Sequence, residues 1–180
     1  MKKPLLFICL LGGACNLLAQ DAGSKPTSPA ENFANRKGTI LQKRFNEIDK
    51  IDNLNIQVEY ISDQSNNDKM KCLRFDIQEP NSTAVSFSAL LDSGEVDELI
   101  KFLNYITTNI TNRPPADPNT EISYTDKYNL LIGCYWQKNT GWILYLRTDA
   151  QNTATETDID PPKIQVLLKD LLSVKQEGID

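Results

Sequence analysis

The sequence predicts an α+β fold built from two ββββα repeats, each an antiparallel sheet packed by one amphipathic helix. Three observations predict it. The stretch Val85 to Ile106 reads as a strand, a break at Asp92-Ser93-Gly94, and a helix that Asp92 or Ser93 can cap. On that helix Val96, Leu99, Ile100, Leu103 and Ile106 recur at spacings of three and four, which stacks them on one face. A shift of 68 residues carries the same stretch onto the last helix, with Leu91-Asp92 on Ile159-Asp160, Val96 on Ile164, Leu99-Ile100 on Leu167-Leu168 and Leu103 on Leu171. Each helix also follows segments in which apolar residues alternate with polar ones. The run NRPPADPN at 112–119 separates the two sets, with 114–119 as a Pro-rich linker between a first half at 38–113 and a second at 120–180.

Residues 1–19 read as an export signal: Lys2 and Lys3, then an apolar run from Pro4 to Leu11 too short to span a bilayer. Cleavage is expected after Ala19, with lipoprotein processing at Cys15 as the minor alternative, and both place the protein in the periplasm or at the cell surface. Residues 20–37 are rich in Ser, Pro, Ala and Asn and read as a flexible leader. Thr39–Ile51 fits either a helical face or a long edge strand, and the repeat favours the strand. Asn55–Ser62, Lys69–Gln78 and Thr83–Leu91 complete the first sheet, and Pro114-Pro115 stops the helix that follows. The second half repeats the order. Thr120–Thr125, Tyr128–Gln137 and Trp142–Thr148 are strands, the last two joined by a Lys138–Gly141 hairpin loop, and a weak edge strand lies near Thr153–Asp158. Asp160 then caps a helix opened by Pro161-Pro162.

Removal of the signal takes two Lys from a chain of 19 basic and 24 acidic residues, leaving a net charge near −7. An acidic surface repels phosphate, so nucleic acid is not expected as a partner, and no mature apolar run is long enough for membrane insertion. Cys72 and Cys134 lie 62 positions apart. Export permits a disulfide between them, which would stabilise by roughly 3–4 kcal/mol in a relaxed geometry. The favoured reading is two separately buried thiols in strands.

The chain resembles uncharacterised exported proteins of Bacteroidetes-type bacteria. The residues that carry the resemblance are the signal ending Leu18-Ala19-Gln20, a strand into Leu91-Asp92-x-x-Glu95-Val96-x-Glu98-Leu99-Ile100, and Ile122-Ser123-Tyr124 before a Gly-Cys-aromatic strand. That resemblance implies no activity. Duplicated ββββα units also occur in single-strand nucleic-acid-binding folds of the Whirly and PUR type; the similarity is of topology, and the acidic balance argues against that function here.

The chain has no histidine, which removes imidazole-based nucleophile systems and metal sites, and no Gly-rich phosphate loop. No cofactor and no catalytic residue is assigned. Asp92, Glu95, Asp97 and Glu98 cluster at one helix start and Asp158 and Asp160 at the other, where the helix dipole favours acids. Trp136 and Trp142 flank the hairpin loop and are expected to pack across it. With Tyr124 and Tyr135 they form the candidate binding set, suited to stacking on a sugar ring or anchoring a protein. The function expected is therefore a non-catalytic exported interaction module, binding a protein partner or a second copy. Alternatives are a carbohydrate or small-ligand module using the Trp hairpin and, third, a carboxylate-based hydrolase.

Overall fold

The computed structural model describes residues 26–78 and 85–179. The export signal at 1–19, the alternative lipidation at Cys15 and the turn at 79–82 lie outside the described residues. Two four-stranded antiparallel sheets form the frame. The first has the order β1 (Leu41–Ile51), β2 (Leu54–Asp63), β3 (Lys69–Gln78), β4 (Val85–Leu91), and the second β5 (Glu121–Thr125), β6 (Leu131–Gln137), β7 (Gly141–Arg147), β8 (Glu156–Ile159). The strands of each sheet follow one another in chain order, and β1–β2, β2–β3, β5–β6 and β6–β7 are joined by short turns. Asp52, Asn67, Asn129 and Gly141 take the positive φ that such turns require, and three of the four are Asp or Asn, the side chains that best tolerate it.

Among the described residues three α-helices complete the fold: α1 (Pro29–Ala34), α2 (Ser93–Asn109) and α3 (Pro161–Gln176). The first places an ordered helix at 29–34, within the stretch 20–37 read as a flexible leader, of which 20–25 lie outside the described residues. Ser28 and Glu31 form a reciprocal capping box with Pro29 at the first helical position, a strong local start signal hidden in a polar composition. Ala30, Phe33 and Ala34 then bury themselves against Ile61, Cys72 and Leu90 on the outer face of the first sheet.

The α2 start is as expected: Asp92 accepts from the Glu95 N–H, and Glu95 returns a bond to the Asp92 N–H. The α3 start departs from the expectation. Asp160 stands at the cap position but its side chain caps nothing. Pro161 and Pro162 have no N–H to offer, and the Lys163 N–H is taken by the Asp160 backbone carbonyl at 2.8 Å. The Asp160 carboxylate instead lies 3.6 Å from Lys163 Nζ.

The inner faces of both sheets and the apolar stripes of α2 and α3 merge into one core. It includes Ile56, Val58, Leu73 and Phe75 of the first sheet, Ile132, Cys134, Leu144 and Leu146 of the second, and Leu99, Leu103, Leu167 and Leu171 from the helices. The helices lie against each other and each reaches across to the other half. From α2, Phe102 stacks on Tyr124 of β5 and Glu98 accepts from the Tyr124 hydroxyl. From α3, Lys163 pairs with Asp52 in the β1–β2 turn, and Lys71 of β3 donates to the Glu177 carbonyl just beyond the helix.

Cys72 and Cys134 sit in different sheets, both buried and neither in a disulfide. Burial pushes the Cys134 thiol up to about 11, so it packs as a small apolar group.

Candidate interaction site

The aromatic residues singled out by sequence divide between the two faces of the second sheet. Trp136 and Trp142 are directly paired across the β6–β7 hairpin, with ring centroids 5.6 Å apart in an edge-on arrangement. Trp142 is only 4% exposed, belongs to the core, and donates its indole N–H to the Arg113 carbonyl at 2.9 Å. Tyr124 is half-buried on the same helix-covered face, and burial together with Glu98 pushes its hydroxyl pKa up. Tyr135 points the other way. On that outer face it donates to Asp158 at 3.3 Å and lies 6.1 Å from the Tyr145 ring. The four aromatics therefore do not converge. The Trp pair ties the linker to the second sheet, and an open recess of about 630 Å³ borders Trp142, Ile122, Arg113 and Pro114.

Tyr145 was not singled out by sequence. Its ring lies flat on Gly133 of the neighbouring strand, where a Cβ would fall 2.5 Å from the ring, and its hydroxyl donates to Glu121. The glycine facing a tyrosine across adjacent strands was the available signal.

The surface with the clearest unmet capacity for pairing is the edge of β1. One side of this strand bonds to β2, and no described strand bonds to the other. Residues 42–47 are exposed along its length, and Phe45 is 55% exposed. A register shift between Glu47 and Asp49 ends the regular segment. Edge strands normally carry guards against unwanted pairing, and Lys43 and Arg44 are of that type. Here part of that guard is diverted inward, because Lys43 Nζ lies 3.2 Å from the fully buried Glu59 Oε1.

Behind the edge the outer face of the first sheet is braced by a charge network. Arg74 bonds both Asp76 oxygens through Nε at 2.8 and 2.9 Å and Glu59 through a terminal nitrogen at 3.1 Å. Ser88 joins it by donating to Asp76 at 2.6 Å. Burial works to lower the Arg74 pKa, but the bonds to Asp76 and Glu59 outweigh it and the guanidinium is held more firmly charged. The Phe45 ring rests over this cation at 5.5 Å, so the exposed aromatic is supported from below. Glu59 Oε1 makes no hydrogen bond of good geometry, so its contact with Lys43 is an ion pair alone.

Among the described residues no group of three or more Asp, Glu, Cys or His could hold a metal ion, and no helix is long and apolar enough to cross a membrane. No protein-family model and no curated protein matches the chain.

Proposed function

We propose that this protein is a non-catalytic, exported interaction module of the periplasm or cell surface, and that it associates with a second copy of itself through the β1 edge. The observation that carries the reading is the self-complementarity of the exposed segment. In an antiparallel pairing centred on Phe45, each Phe45 faces the other, and Lys43 of one copy faces Glu47 of its partner at both ends. Arg44 then faces Asn46 on the opposite side. All cross-strand pairs are favourable or neutral, and two four-stranded sheets become one of eight. Such an interface is isologous, so association stops at the dimer.

Light scattering coupled to size exclusion tests the proposal. A dimer that becomes monomeric on Glu47→Lys, which sets Lys against Lys at both ends, is the expected result. A clean monomer of the unaltered protein at high concentration sinks it. The export half of the reading rests on residues 1–19 and is checked by fractionating cells that express the full chain.

The glycan reading has less support, because Trp142 is committed to the core. Trp fluorescence unmoved by a panel of glycans is the outcome expected.

A further inference from the structure

The 68-residue correspondence between α2 and α3 places Glu95 and Lys163 at equivalent positions, the third residue of each helix. Each meets the first hairpin turn of the opposite half. Lys163 meets Asp52 of the β1–β2 turn as an ion pair. Glu95 meets Asp126 of the β5–β6 turn, and there two buried carboxyl groups line one small void.

The second joint is buried. Glu95 is 5% exposed and Asp126 is 7% exposed. One Asp126 oxygen accepts from the Tyr128 and Leu130 N–H groups, each at 2.8 Å. Its other oxygen is buried and meets no donor in an ionised site. One Glu95 oxygen is likewise taken, by the Asp92 N–H at 2.8 Å. The remaining Asp126 oxygen gains a donor if Glu95, across the same void, carries a proton. The void they share, about 10 Å³, is at the lower limit for one water and is lined also by Ser28 and Glu31 of the α1 start and by Leu90 and Leu91 of β4. Ser28 Oγ fastens this cover by donating to the Leu90 carbonyl at 2.7 Å.

We propose that the Glu95–Asp126 joint is a proton-operated latch holding the β5–β6 turn and the α1 arm against the first half, while the equivalent Lys163–Asp52 joint is charge-complementary and insensitive to pH near neutrality. The step is a simple one. Glu95 carries the proton and donates it as a hydrogen bond to the Asp126 carboxylate; loss of that proton leaves two facing anions. Among the surrounding charges Asp92 reinforces the effect and Lys127, which attracts Glu95, works against it. Asp92 and Glu98 of α2 and Glu31 of α1 are acidic, Tyr124 of β5 is a neutral hydroxyl, and Lys127 beside Asp126 is exposed and lies over the Tyr128 ring.

Burial first, and then Asp126 and the Asp92 charge, raise the Glu95 pKa from 4.5 to about 8, against the Asp92 N–H bond, which lowers it. A folded-state pKa raised in an acid means that the folded state holds a proton the open state releases. The latch is therefore intact below the ordinary Glu range, weakens as pH rises above it, and reaches its full loss above about 8.

The test compares the unaltered protein with Glu95→Gln, whose amide supplies the donor at every pH, and with Asp126→Asn as a second variant should the first fail to fold. Two readings are taken from pH 5 to 9: the melting temperature, and alkylation of Cys72 beneath α1 measured by peptide mass spectrometry. Taking each rate relative to the variant at the same pH cancels the thiol's own titration. The relative Cys72 rate is expected to rise at least about tenfold between pH 6 and 9, and the melting temperature to fall below that of the variant. Lys163→Gln is expected to leave that pH dependence in place. Parallel pH curves for the unaltered protein and Glu95→Gln overturn the proposal. So does restoration of the alkaline melting temperature by Ca²⁺ or Mg²⁺ in the unaltered protein alone, which would make the joint a cation site.

Discussion

Glu59 has no exposed surface, yet it lies between Lys43 and Arg74, and Arg74 is shared in turn with Asp76. A buried carboxylate loses far more when one partner goes than the pair contributes as a whole. Arg74→Ala is therefore expected to cost roughly 3 kcal/mol in urea denaturation, while Arg147→Ala, in the half-exposed pair with Glu156, is expected to stay below about 1 kcal/mol. Gly133→Ala is a second sharp case. Its new methyl would meet the Tyr145 ring, and the displaced ring would break its bond to Glu121, for an expected loss of about 1–3 kcal/mol. Alternation showed which residues of Lys69–Gln78 face the core, because period two fixes faces. It could not show that Cys72 lies under α1 while Arg74 and Asp76 build an ionic floor beside it, since those neighbours arrive from other strands. The Trp136–Trp142 pairing was legible from the hairpin alone. The bond from Trp142 to Arg113 depends on where the linker passes and was not.

The two long helices look alike in sequence and begin differently. Asp92 satisfies an N–H of the first turn of α2, whereas Asp160 has no N–H left to satisfy. Asp92→Ala is accordingly expected to cost about 1 kcal/mol and Asp160→Ala less than about 0.5 kcal/mol, read from paired denaturation curves. The rule that Asp before Pro starts a helix located the α3 boundary correctly while misassigning the bond, because two prolines in succession remove the donors that a cap needs. The α1 helix was missed for a different reason. Six residues in a polar leader carry no readable period, and only the Ser28–Glu31 spacing marked its start. That helix hangs on few contacts, so Ser28→Ala, which removes both the cap and the bond to Leu90, is expected to speed Cys72 alkylation with little change in the melting temperature.

Seen whole, the molecule has one core shared by both sheets and both long helices. A single cooperative unfolding transition follows, with Trp emission and far-ultraviolet circular dichroism changing together, despite a linker that reads as a domain boundary. Strand order, the two ββββα units and the starts of the two long helices were legible because local period and turn chemistry determine them. The crossing of each helix onto the opposite half was not, because nothing local to Glu95 names Asp126 as its neighbour. The one available hint was Lys163 standing where the repeat would put Glu95. That difference has a consequence for what a tandem chain can do. Two identical, unlinked ββββα units meeting about a twofold axis would be forced to build both joints from the same residues. Joined end to end in one polypeptide, the units are released from that constraint, and each seam can be given its own chemistry. One seam here is a fixed charge pair, and the other waits on a single hydrogen ion.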